Sequence, residues 1–299
     1  MAADQSYLRP DVVSRLASME LRARLVVEGF ITGLHKSPYH GFSVEFAEHR
    51  QYMPGDEIRR IDWKVLGRTD RYYIKQFEEE TNLKAYIVLD ASRSMSFKGE
   101  GPVTKLEYAA MLAASLSYLM VRQQDAVGLV VYDEVLRSYM PPHATKVYLQ
   151  SILRELHLVQ PGQGTSTARA LGAVAERLSR RGLVCVFSDL FDNPADVMSA
   201  LKHFRYNQHE VILFHVLDPL ERSFAFGRDA IFRDLETGEE LLTQPAQIQR
   251  SYREAMRDFI AQYKKECREQ RIDYVLLDTG TPFDVALYEY LGKRKKIGG

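Results

Sequence analysis

An α/β fold with a doubly wound, mostly parallel sheet is predicted by three observations on this 299-residue chain. Short continuous apolar runs such as Tyr86-Ile-Val-Leu89 and Leu183-Val-Cys-Val-Phe187 lack polar alternation, the pattern of strands covered on both faces. Segments of helical spacing separate these runs, so strand and helix alternate from about residue 83 onward. With 45% hydrophobic and 27% charged residues, the composition is globular and the length suffices for one large core with a smaller appended part.

In chain order, Asp11 to Glu28 carries Val12, Leu16, Met19 and Ala23 on one side of a predicted amphipathic helix. From Phe42 to Glu80 the pieces become short and aromatic-rich, broken by Pro54-Gly55-Asp56, a turn signal. Residues 1–82 are therefore expected to form a helix plus a β-rich extension, and residues 83–299 the main α/β domain. Within the latter, strands are predicted at Tyr86 to Leu89, Val127 to Tyr132, Leu183 to Phe187, Val211 to Val216 and Tyr274 to Leu277. Helices are predicted near Lys105 to Arg122, Thr145 to Leu156, Ala168 to Arg180, Ala195 to Phe204 and Phe283 to Leu291. An insertion around 218–270 reads as a β-hairpin about Glu236-Thr-Gly238 followed by a long charged helix, Ala246 to Gln270.

Lys plus Arg and Asp plus Glu both total 40, so there is no overall field to hold nucleic acid or an anionic membrane. The local run Lys293-Arg-Lys-Lys296 reads as a solvated tail. Two cysteines, Cys185 in an apolar run and Cys267 in a charged helix, suggest neither a disulfide framework nor a thiolate metal site. The amino-terminal residues lack a basic segment followed by an apolar core, and Ala109 to Val121 is shorter than the ~20 residues a membrane span needs. The expectation is a cytoplasmic protein with no integral membrane segment.

The polar residues of interest follow the buried runs. Asp90, Ser92 and Ser94 lie just past the first strand, Ser188 and Asp189 end a later one, and Gly162-Gln-Gly-Thr165-Ser-Thr167 leads into a helix. In open α/β sheets the carboxyl edge of the strands is where ligands bind. Two carboxylates with neutral hydroxyls, without thiolate or imidazole, suit a hard cation such as Mg2+, Mn2+ or Ca2+. Neutral ligands leave the metal electrophilic toward a further carboxylate, which an acidic partner can supply. Asp-x-Ser-x-Ser alone would be an ordinary polar turn; the three pieces together, each at a strand end or helix entry, argue for a metal site.

This set resembles the metal-ion-dependent adhesion site of von Willebrand factor A domains, a Rossmann-type fold. The resemblance assigns Asp90, Ser92 and Ser94 to the Asp-x-Ser-x-Ser motif, Thr165 to the loop threonine and Asp189 to the final aspartate. Thr167 competes for the threonine position but reads better as a helix cap. A second block, His40-Gly41, Glu45-Phe46, Arg50, Tyr52, Pro54-Gly-Asp56, Arg59, Ile61-Asp-Trp63, Arg68 and Phe77-Glu-Glu-Glu80, precedes the first strand. Together with the following domain it resembles the bacterial domain of unknown function 58 family. That resemblance implies an accessory partner of a MoxR-type AAA+ ATPase. Arg50, Asp56, Arg59, Asp62 and Arg68 of the block could form a recognition surface or pair internally to hold the extension in place; internal pairing is the favoured expectation, with Trp63 as an apolar anchor.

A metal-dependent adaptor binding an acidic residue of a partner protein is therefore the expected function. A metal-dependent hydrolase or phosphotransferase is the first alternative, disfavoured because Ser92 stands where a second aspartate of the phosphotransferase pattern would be. No Gly-x-x-x-x-Gly-Lys-Ser/Thr, Gly-x-Ser-x-Gly or His-Glu-x-x-His occurs, and the eight histidines are scattered. The second alternative is a structural scaffold with an incidental metal site.

Overall fold

The structure, a computed structural model, describes residues 43–53, 63–69, 71–80, 83–162, 164, 166–178, 181–226, 230–233, 240–283, 285–287 and 290. The expected helix at 11–28, the Pro54-Gly-Asp56 turn, Arg59, Asp62 and Thr165 lie outside these residues. The chain divides into two compact units, one spanning Tyr39–Leu83 and the other continuing from Lys84.

In the smaller unit, β1 (Ser43–Gln51) pairs antiparallel with β2 (Tyr73–Glu80), with a register shift between Phe46 and Glu48. A short helix, α1 (Trp63–Thr69), lies between them in sequence. Trp63 is 60% exposed, so the expected apolar anchor is not seen; at the first position of a two-turn helix its ring points to solvent.

The larger unit contains β3 (Lys84–Asp90), α2 (Lys105–Arg122), β4 (Ala126–Tyr132), β5 (Leu136–His143), α3 (Lys146–Leu158), α4 (Thr167–Arg177), β6 (Leu183–Ser188), α5 (Pro194–Tyr206) and β7 (Glu210–Leu217). It continues with α6 (Pro219–Ser223), β8 (Ala230–Arg233), β9 (Glu240–Thr243), α7 (Pro245–Glu269) and β10 (Asp273–Asp278). Six strands form one sheet in the order β10-β7-β6-β3-β4-β5. All neighbours are parallel except β4 and β5. The small hairpin β8–β9 is separate and antiparallel.

The strands are buried because helices cover both faces. Tyr86, Val88, Val130, Val184, Val186 and Leu213 pack with Leu171, Val174, Leu201 and Phe204 of α4 and α5 and with Tyr263 and Cys267 of α7. The alternate residues Ile87, Leu89, Leu129, Phe187 and Phe214 point to the opposite face, also buried, where α2 lies against β3 and β4. Helix α2 begins with a capping box between Thr104 and Glu107. Its buried Ser115 and Ser117 return their hydroxyls to the carbonyls of Met111 and Ala113, which is how a nearly all-round apolar helix tolerates them. No helix among the described residues is long and apolar enough to cross a membrane.

Gly128 marks a close approach inside β4. A Cβ there would lie 2.6 Å from the Met140 carbonyl oxygen and 3.0 Å from the Pro142 nitrogen, both backbone atoms of the edge strand β5. Gly128→Ala is expected to cost about 1–3 kcal/mol in urea unfolding, by forcing β5 off β4.

Strand order decides where the edge opens. From β3 the chain winds outward through β4 to β5, then returns to β6 on the other flank of β3 and winds through β7 to β10. The connections after β3 and β6 therefore depart to opposite faces, leaving a crevice at the carboxyl ends of these two strands.

Candidate metal centre

Asp90 terminates β3 in that crevice, fully buried. Its Oδ1 accepts the Ser92 amide at 2.8 Å, and its Oδ2 accepts the hydroxyls of Ser188 at 2.6 Å, Tyr132 at 3.3 Å and Thr167 at 3.4 Å. Burial, reinforced by the nearby charge of Asp189, pushes the Asp90 carboxyl up to about 6, against the pull of its hydrogen bonds. The chain then makes a 3-10 turn, Arg93–Ser96, anchored by fully buried Met95. That turn brings the Ser92 and Ser94 hydroxyls to 3.0 Å of each other.

Two other loops close on this turn. The Gly162 amide donates to the Ala91 carbonyl at 2.6 Å, tying the loop before α4 to the residue between Asp90 and Ser92. Asp189 follows β6 and is also fully buried. Its backbone carbonyl accepts from His215 Nε2 at 2.9 Å, while His215 Nδ1 meets the Tyr274 hydroxyl at 2.7 Å. Burial holds His215 down to about 4, so the ring is neutral and both nitrogens are engaged. Leu190 then adopts a left-handed φ of 58°, a conformation that costs a non-glycine residue about 1–2 kcal/mol. The Ser188 hydroxyl, accepting the Leu190 amide at 2.9 Å, helps to hold it there.

A buried lysine joins the cluster. Lys105, the first residue of α2, places its ammonium 2.7 Å from Asp189 Oδ2 and 2.5 Å from Glu221 Oε1, with no side-chain exposure. Burial lowers its proton affinity, but Asp189 and Glu221 overcome that and hold its pKa above the ordinary lysine value. Glu221 is itself fixed by the capping box of α6, accepting the Asp218 amide at 2.9 Å. Asp218 in turn accepts the amides of Gly99, Glu100, Gly101 and Leu220 and the Thr279 hydroxyl, all between 2.9 and 3.2 Å. The loop joining the Asp90 turn to α2 is thereby clamped to the end of β7.

Residues 48–266 match the family described as "Protein of unknown function DUF58". The chain belongs to the DUF58 family. It is 27% identical over 232 residues to uncharacterized proteins of Mycobacterium tuberculosis and Mycobacterium bovis, covering 77% of this chain and 72% of theirs. Among solved structures it is similar to the conserved hypothetical protein BatB of Bacteroides thetaiotaomicron, at 16% identity and a TM-score of 0.46, covering 72% of this chain and 99% of that one. An aerotolerance-related membrane protein of Bacteroides fragilis matches at 18% identity and a TM-score of 0.46, covering 71% and 99%.

In this DUF58 protein the structure brings Asp90, Ser92, Ser94 and Asp189 to one sheet edge, while Thr165 lies outside the described residues. Thr167 corrects one expectation: the cap position belongs to Ser166, which makes no side-chain cap bond, and the Thr167 hydroxyl points to Asp90. Among the described residues no three His, Cys, Asp or Glu side chains gather as a metal-binding group. The set in question offers two carboxylates and otherwise hydroxyls, an all-oxygen donor chemistry that fits a hard divalent ion and leaves positions for water. Tyr132, Lys105, Asp218 and Glu221 were not singled out from the sequence. The terminal position of Tyr132 in its strand was the available signal for that residue, whereas lysine and glutamate at helix starts read as solvated.

Proposed function

We propose that this DUF58 protein is a metal-dependent protein-binding adaptor of the von Willebrand factor A type, serving a MoxR-type AAA+ ATPase. Asp90, Ser92, Ser94, Thr165 and Asp189 would hold Mg2+, or Mn2+ or Ca2+ in its place, and an Asp or Glu of the partner would complete the shell. The metal supplies Lewis acidity toward that carboxylate. Supporting the reading above all is Asp90: a fully buried carboxylate at the sheet crevice, next to two hydroxyls 3.0 Å apart, kept beside a second buried carboxylate at an electrostatic cost that a divalent ion would remove. The hydrogen bonds from Tyr132, Ser188 and Thr167 orient this carboxylate, and His215 fixes the backbone at Asp189. The chain's part is binding rather than turnover, since His215, the imidazole nearest Asp189, is neutral with both nitrogens occupied.

A pull-down with purified MoxR-type ATPase in Mg2+ and in EDTA tests the reading. Capture is expected in Mg2+ alone and is expected to vanish for Asp90→Ala; equal capture by wild type in EDTA would sink the metal-dependent reading. The threonine is assigned by Mn2+ titration. Thr165→Val is expected to weaken Mn2+ more than tenfold, and Thr167→Val only a few-fold, because Thr167 positions Asp90 rather than binding the ion. The reverse order would move the ligand role to Thr167.

A further inference from the structure

The geometry points to Lys105 as the residue that sets the charge of the metal centre: with buried Asp90 and Asp189 and the partly exposed Glu221 it makes a quartet short by two positive charges, the charge of one divalent ion. The inference rests on the adaptor reading of the same site and extends it to residues outside the ligand set.

The placement of Lys105 is costly on two independent grounds. Its ammonium is wholly removed from water, and it sits in the first turn of α2, where the helix dipole disfavours a cation. Neither helix formation nor packing calls for a charge there. The offset comes from Asp189 and Glu221, with the Phe191 ring 4.8 Å from the ammonium and 37% exposed at the rim. Neighbouring carboxylates are answered separately: Asp218 by backbone amides and the Thr279 hydroxyl, Asp192 by the amides of Ala168 and Asn193, and Asp278 by Arg222. His215 is neutral.

Lys105 occupies only Oδ2 of Asp189, leaving Oδ1 with one long contact from the Phe191 amide at 3.4 Å. Lys105 therefore holds one oxygen of Asp189, leaves the other weakly engaged, and tempers the negative field at this carboxylate. Without it, the carboxylates of Asp90, Asp189 and Glu221 would attract a divalent ion more strongly and leave a net negative centre, poorly suited to receive another acid. Glu221 acts in the opposite sense, through charge alone.

Mn2+ titration of the full chain, followed by electron paramagnetic resonance, reads this directly. Lys105→Gln is expected to bind Mn2+ about tenfold tighter than wild type and Glu221→Gln about tenfold weaker, from the change of one unit of charge in a screened site. The double variant is expected to return near wild type, and Lys105→Arg to preserve wild-type affinity. A purely structural lysine would instead weaken Mn2+ in Lys105→Gln, and that result overturns the inference. Where Lys105→Gln does not fold, Glu221→Gln carries the test, and unchanged affinity there overturns the charge role. Wild type without saturable Mn2+ binding overturns the metal reading itself, whereas saturable wild-type binding that neither substitution alters removes only the role of Lys105.

Discussion

Asp90→Asn is expected to raise the thermal midpoint of the metal-free protein at pH 7.5 and to erase its response to Mg2+. The carboxyl of Asp90 is raised from 3.8 to about 6 by burial and by Asp189. The folded state therefore holds this proton more tightly than the unfolded chain does, and its stability falls as pH rises from about 4 to about 6. Above that window the full penalty is present, on the order of 3 kcal/mol for a shift of this size. Asparagine keeps an oxygen for the Ser92 amide and carries no charge, and its amide nitrogen, in the place of Oδ2, donates to the Ser188, Tyr132 and Thr167 hydroxyls once these rotate to accept, so it removes the charge penalty. In wild type a saturating divalent ion offsets the same penalty by mass action, about 2.7 kcal/mol at a hundredfold excess over Kd. Melting both proteins in EDTA and in Mg2+ from pH 4 to 8 gives the difference that isolates this group from the other titrating residues. A variant that still gains stability from Mg2+ would remove Asp90 from the metal centre.

The larger unit was legible because its strands are buried on both faces, and such strands announce themselves as unbroken apolar runs. Tyr86 to Leu89, Leu183 to Phe187 and Val211 to Val216 fall within β3, β6 and β7. The polar residues that end these runs, Asp90 and Asp189, were visible for the same reason, since a carboxylate directly after a covered strand lies at the sheet edge. Strand order was not legible: it depends on which runs pair, and the runs are chemically alike. Helix α1 was missed because seven residues with a glycine carry too few turns for a periodicity. Lys105 and Glu221 were missed because each sits at the charged start of a helix, where solvation is the ordinary fate; only the fold shows that α2 and α6 bring them together. Thr167 was misjudged as a cap because the helix begins at that residue rather than after it.

Asp218→Ala is expected to destabilise the protein by on the order of 3–5 kcal/mol in urea unfolding, the larger effect of the two, although Asp218 is no part of the proposed ligand set. One buried carboxylate here serves five donors: the amides of Gly99, Glu100, Gly101 and Leu220 and the hydroxyl of Thr279. Burial alone would raise its pKa, but the amides outweigh burial and hold it below the ordinary carboxylate value. Its stabilisation is thus present above about pH 4 and is lost as pH falls through the lowered folded value. Alanine leaves these donors without an acceptor in a space that fits the carboxylate closely, since a Cβ on Gly99 would lie 2.5 Å from Asp218 Oδ1. Asp218→Asn retains one accepting oxygen and should lose roughly half as much. The clamp also ties the Asp90 turn to the first residue of α2, so loosening it frees Lys105 as well as Ser94. Mn2+ affinity should therefore fall in Asp218→Ala in step with stability. If Asp218→Ala unfolds at the wild-type urea midpoint, the loop is held by other contacts and the link between clamp and metal centre fails.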